Sequence, residues 1–207
     1  TFALIRPPVV LVHGTFDNPI ECWDTIGPNS TVTMKGRLMD EAFRVFMTDW
    51  EETNGYKDPS DLDTNRKTVW KNPGGIREAI ETLRKEGFAA TQADLVGHSQ
   101  GGVIARVYIR GSLAPRSDDE DHFSDPRTCS QGVCWYHRKD NFGRGDIHRL
   151  ITISSTHLGS DCSRVLNAYV ELRREGTLIN GWDIISESLI LGVAGYQGAD
   201  GLKYFKE

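Results

Sequence analysis

At 207 residues the chain is long enough for one domain with a substantial core and short for two. With 38% apolar and 26% charged residues its composition is neither disordered nor fibrous, and a net charge of −5 without a Lys/Arg stripe argues against a general nucleic-acid binder. No apolar stretch is long enough to span a bilayer, no secretory leader is visible, and a start at Thr1 rather than Met reads as processed or trimmed.

The first predicted element is a strand over 9–13, "VVLVH", a β-branched run after Pro7-Pro8 of the kind buried on both faces. Gly14 ends it. "GRLMDEAF" (36–43) reads as a helix, "RVFMTDW" (44–50) as a second strand, and the Asp-, Asn-, Lys- and Pro-rich stretch 53–74 as a surface loop. "GIREAIETLRKEG" (75–87) carries Ile76, Ile80 and Leu83 at helical spacing, with Gly87 as its stop. "ADLVGH" (93–98) is a third strand. "GGVIARVYIRG" (101–111) opens a helix with Val103, Val107 and Ile109 near one face, and "HRLITIS" (148–154) is a fourth strand. Strands alternating with helices imply an α/β domain with a mostly parallel sheet.

Residues 112–146, polar and turn-rich, read as an insertion rather than a second domain. The run Asp118–Asp121 lacks the alternating ligand spacing of a calcium loop and reads as a solvated face. Of the four cysteines, Cys22, Cys129, Cys134 and Cys162, Cys129 and Cys134 are spaced to close a small loop. His122 and His137 flank that pair, but the spacing is looser than common zinc sites, and a disulfide or free thiols is the preferred reading.

The chemistry concentrates at Gly97-His98-Ser99-Gln100-Gly101, a G-x-S-x-G pattern lying between an apolar strand and a helical run. A serine in so sharp a turn needs small residues two before and two after, where the strand and helix backbones approach. Ser99 is the expected nucleophile. Acyl transfer also needs preset donors for the oxyanion. The N–H of Gln100 is one expected donor; Thr15, in the loop after the first strand, is the best second, with Phe16 behind it. His13 reads as a residue that shapes the turn rather than one that shuttles protons.

"PPVVLVHGTFDN", "DLVGHSQGG" and "LITISSTHLGSD" resemble, in order and spacing, three successive motifs of α/β-hydrolase lipases and esterases. The third is similar to the T-P-H-x-G-S segment of many bacterial lipases, with Thr156 where that family usually has proline. The resemblance covers about residues 7–162. It implies an α/β-hydrolase-type sheet flanked by helices, an oxyanion hole at Thr15 and Gln100, and a structural role for His157.

The resemblance also implies an acid and a histidine after the last strands, yet no histidine lies beyond 157. The favoured expectation is a single α/β-hydrolase domain that is C-terminally incomplete, with the acid and base supplied by a further segment or a second chain. Two alternatives stand beside it. In one, the insertion supplies them, with His122 or His137 as base and Asp118, Asp125 or Asp140 as acid; in the other, the fold is catalytically dead. Asp161 and Asp183 read as structural.

In 163–196, Leu178, Trp182, Ile185, Leu189, Val193 and Tyr196 recur at steps of three and four, an apolar helical face. It packs on the core or forms lid helices, with Gly181 and Gly192 as hinges. The expected function is a serine hydrolase of carboxylic esters, lipid acyl esters foremost, acting through an acyl-enzyme on Ser99 without metal or organic cofactor. Its partners are a lipid or other ester substrate and transient contact with a lipid surface. The readings kept beside it are a non-catalytic binding module on the same fold, an acyltransferase, a phospholipase and a polyester depolymerase. A secreted or extracytoplasmic location goes with the main expectation.

Overall fold

Val9–Val12 (β1), four consecutive apolar residues and all buried, form the inner strand around which the sheet is built. The computed structural model describes residues 5–14, 17–28, 30–51, 67–110, 122–124, 136–138 and 141–158. In chain order β1 is followed by α1 (Pro19–Trp23), α2 (Met34–Asp40), β2 (Val45–Thr48) and a π-helical turn (Lys67–Lys71). Then come α3 (Ile76–Lys85), β3 (Ala93–His98), α4 (Gln100–Arg110), β4 (His122–Ser124), β5 (Tyr136–Arg138) and β6 (Ile147–Ile153). The main sheet has the order β2-β1-β3-β6 with every pairing parallel, as the alternation of strands and helices predicts. Within the insertion, β4 and β5 form a separate antiparallel pair.

Both faces of the inner strands are covered, which is why β1 reads as an unbroken apolar run. Val10, Val12 and Leu95 point to the face packed by Ile76, Ala79, Ile80 and Leu83 of α3 and by Ile104, Ala105 and Tyr108 of α4. Val9, Leu11 and Val96 point to the other, against Trp23 of α1 and Leu38 of α2. Alternation along each strand thus divides one β-branched run between two cores.

Three details differ from the sequence reading. The stretch 53–74 is not all surface loop: Val69 and Trp70 in the π-helical turn are fully buried in the larger core. Two large apolar side chains repay burial more than their polar neighbours oppose it, and Thr48 Oγ1 donates to the Thr68 carbonyl at 2.5 Å to fasten the turn to β2. The buried side of α4 runs through Val103, Ile104, Val107 and Tyr108, while Ile109 is exposed. Finally, α1 was not foreseen, although Asn18-Pro19 announces it. The Asn18 side chain accepts from the N–H groups of Ile20 and Glu21, and Pro19 takes the first helical position.

The strand order creates the setting for a site. From β1 the chain passes through α1 and α2 to β2 on one side, whereas from β3 it passes through α4 to β6 on the other. Connections leaving neighbouring strands in opposite directions open a crevice beyond their carboxyl ends. His13-Gly14 and His98-Ser99 lie at those two ends.

Candidate active site

Ser99 joins β3 directly to α4 and is held at φ 52, in the left-handed region that side chains other than glycine avoid. Such a conformation costs on the order of 1–3 kcal/mol and persists only where its surroundings enforce it. Here the Ser99 N–H donates to the Ile153 carbonyl of β6 at 2.9 Å, and the Ser99 carbonyl accepts from the Gly102 N–H at 3.2 Å. The turn is therefore fixed at both its backbone groups.

Two glycines make the turn possible. A Cβ on Gly97 would overlap the Gly102 Cα and lie 2.5 Å from its nitrogen; a Cβ on Gly101 would overlap the His13 carbonyl oxygen and lie 2.5 Å from that of Val12. Strand β3 therefore approaches α4, and α4 approaches the end of β1, more closely than any side chain permits. Gln100, buried, opens α4, whose first N–H groups and positive dipole end sit beside Ser99. Thr15 and Phe16 lie outside the described residues. Their neighbour Gly14 runs directly against the turn: a Cβ there would be 3.0 Å from both Ser99 Cβ and His98 Nδ1.

His13 is fully buried beneath this corner. Its Nδ1–H donates to the Gly14 carbonyl at 2.8 Å and its Nε2 accepts from the Trp50 N–H at 3.2 Å, a pairing that needs a single neutral tautomer. The Trp50 indole N–H returns a bond to the His13 carbonyl at 3.0 Å, and the two rings stack with centroids 5.0 Å apart. Burial holds the His13 pKa below its ordinary value, against the opposing pull of the nearby Asp49 carboxylate. With both nitrogens engaged, His13 fixes the loop.

The other histidines with described side chains are also occupied. His98, between Gly97 and Ser99, turns its Nδ1 to Cys22 Sγ at 3.6 Å, and Trp23 packs edge-on against its ring. His148 Nδ1 pairs with Asp94 Oδ1 at 2.8 Å, toward the opposite end of β3 from Ser99. His157 Nε2 meets Thr152 Oγ1 at 3.1 Å, and burial followed by the charge of Arg106 lowers its pKa. Burial and the adjoining Asp17 carboxylate push the Cys22 thiol up to about 12, so it stays protonated at neutral pH and is no rival nucleophile. The side chains of His122 and His137, with Asp118, Asp125, Asp140, Cys129, Cys134, Asp161, Cys162, Asp183 and the 163–196 segment, lie outside the described residues.

A parallel sheet with helices on both faces, and a glycine-flanked serine turning from its third strand into a helix, defines an α/β-hydrolase-type protein. The family model for class 2 lipases matches residues 6–130, more than half of the chain, and the chain belongs to that family. No curated protein sequence matches it. Among solved structures it is similar to the mature lipase BlEst2 of Bacillus licheniformis, at 16% identity and TM-score 0.48, over 100% of this chain and 60% of that one. It is also similar to lipase 1 of Pelosinus fermentans, at 13% identity and TM-score 0.47 over 96% of this chain and 63% of that one. For EstA of Clostridium botulinum the values are 15% and 0.49, over 96% and 56%. The chain thus spans less than two thirds of the length of each.

Proposed function

We propose that this chain carries the nucleophile of a serine hydrolase that cleaves carboxylic esters, lipid acyl esters in the first place. The observation that carries the reading is Ser99 itself, strained at φ 52 beyond the end of β3 in a crevice of the sheet, with the N-terminus of α4 beside it. Membership of the class 2 lipases supports ester hydrolysis.

In the proposed mechanism Ser99 Oγ attacks the ester carbonyl. The oxyanion is held by the backbone N–H of Gln100 and by Thr15 in the loop after β1, and preset donors of this kind are worth about 3 kcal/mol each. A histidine oriented by a carboxylate takes the serine proton and passes it to the leaving alcohol. Water then attacks the acyl-enzyme, and the same histidine takes its proton and returns it to Ser99 Oγ as the acyl–oxygen bond breaks and the acid is released. None of the described histidines is offered as that base, because each is engaged elsewhere. The base and its acid are sought among residues outside the described ones.

A fluorophosphonate probe tests the nucleophile: labelling of the natural protein is expected, and Ser99→Ala abolishes it. An intact natural protein that takes no label overturns the catalytic reading. A series of p-nitrophenyl esters tests the lipid preference together with the proposed lid over 163–196. Rates that rise with acyl length support both; strong preference for the shortest chains removes them.

A further inference from the structure

We infer that Asp17, Cys22 and His98 form a binding site for a zinc-class divalent cation, locking the loop after β1 and α1 to the end of β3. The three side chains come from two segments, the loop after β1 with α1 and the end of β3; each is half-buried, and one ligand atom from each lies within 4.8 Å of the other two. This site takes no part in the ester chemistry; it braces the corner on which Ser99 stands.

The geometry fits zinc in a way that can be checked. Zn–S of about 2.3 Å and Zn–N of about 2.1 Å at the tetrahedral angle separate sulfur from nitrogen by about 3.6 Å. Cys22 Sγ and His98 Nδ1 stand 3.6 Å apart. The third ligand is an Asp17 carboxylate oxygen, already hydrogen-bonded to the thiol. Binding replaces the thiol proton with the metal and releases that proton to solvent. A donor set of one sulfur, one imidazole nitrogen and one carboxylate oxygen excludes calcium and magnesium, which require six or more oxygens or retained waters, and suits zinc. Three protein ligands leave a fourth position for water.

The surroundings support a held site rather than a chance grouping. Trp23 packs edge-on against His98, at a centroid distance of 6.3 Å and an interplanar angle of 82°, fixing the imidazole. The Asn18 cap fixes the first turn of α1, between Asp17 and Cys22. Because His98 Nδ1 and Ser99 Cβ both lie 3.0 Å from the point a Gly14 Cβ would occupy, they are at most twice that distance apart. The cation would be held by His98, the residue directly before the nucleophile, where Gly14 runs against the turn.

The test is titration of the full chain with Co²⁺ and then Zn²⁺, followed by absorbance and by thermal unfolding. A thiolate-to-cobalt charge-transfer band is expected, displaced by Zn²⁺, together with a melting temperature that rises with Zn²⁺ concentration. Cys22→Ser, which preserves size and the hydrogen bond to Asp17, abolishes the band and weakens Zn²⁺ binding by about 100-fold or more. The double variant Cys129→Ser/Cys134→Ser keeps both signals. Should Cys22→Ser fail to fold, Asp17→Asn provides the second reading, with the band retained and affinity reduced by about tenfold or more. A natural chain with no band, a band that survives Cys22→Ser, one lost in the double variant, or full affinity in Asp17→Asn overturns the site.

Discussion

Val96 and Ile151 are register partners in the neighbouring parallel strands β3 and β6, yet Val96 is 5% exposed and Ile151 is 51% exposed. Both point to the face covered by α1 and α2, but those helices pack over β1 and β2 and stop short of β6. On the opposite face α4 reaches across, and Ile147 and Leu150 of β6 join the larger core. Among the described residues, one end of the sheet is therefore covered on both faces and the other on one. The Ser99 turn lies where the closed part ends, with its N–H bonded to β6 and its flanking glycines pressed against α4 and β1. Strain at Ser99 is tolerated because the packing on the closed side leaves that backbone little alternative.

The sharpest way to break this contrast is Gly97→Ala. The added methyl meets the Gly102 backbone, which cannot rotate away as a side chain would. The expected loss is about 3 kcal/mol or more, seen as a lower urea midpoint at unchanged slope. Fluorophosphonate labelling should fall with it even under conditions where the variant is folded, because the serine turn is displaced. A cost below about 1 kcal/mol would mean that β3 and α4 do not approach so closely in solution.

His13 gives the next largest effect. His13→Gln removes a stacked ring and disturbs two buried hydrogen bonds, for an expected loss of about 2–3 kcal/mol. It also carries a pH signature. The unfolded histidine protonates near its ordinary value of about 6.5, whereas the folded one, its pKa lowered by burial, does not do so until the pH is lower still. Between those values the unfolded state binds more protons, so stability is fully present above about 6.5 and declines as pH falls toward the folded value. Equilibrium unfolding from pH 7.5 to pH 5.5 should show that decline, and His13→Gln should flatten it. His157, lowered in the same direction, leaves a residual slope.

Much of this corner was legible in the sequence. The limits of β3 were read to the residue, and G-x-S-x-G between an apolar and a helical run located the turn, because only glycine permits the two close approaches that flank Ser99. His13 was rightly read as structural. What escaped was long-range. Nothing local to Val69 and Trp70 shows that their polar stretch folds back into the core, since that depends on the space left between Trp50 and α3. Likewise Cys22 and His98 are far apart in the chain, and only the packing of α1 beside the end of β3 brings them together. Spacing arguments find ligands on one helix or one loop; they are blind to a cluster that needs a residue from a distant strand.

The smallest predicted effect is the most direct measure of the two-sided against the one-sided sheet. Val96→Ala removes two buried methyl groups from the closed face and should cost about 2 kcal/mol. Its register partner Ile151→Thr keeps the β-branched shape that strands favour and gives up apolar surface that is half in water already. Its expected cost is below about 0.5 kcal/mol. Urea unfolding of the two variants side by side reads the difference in cover between adjacent strands without altering the Ser99 turn. Equal losses would show that Ile151 is as well covered in solution as Val96, and that the sheet is closed on both faces across β6 as well.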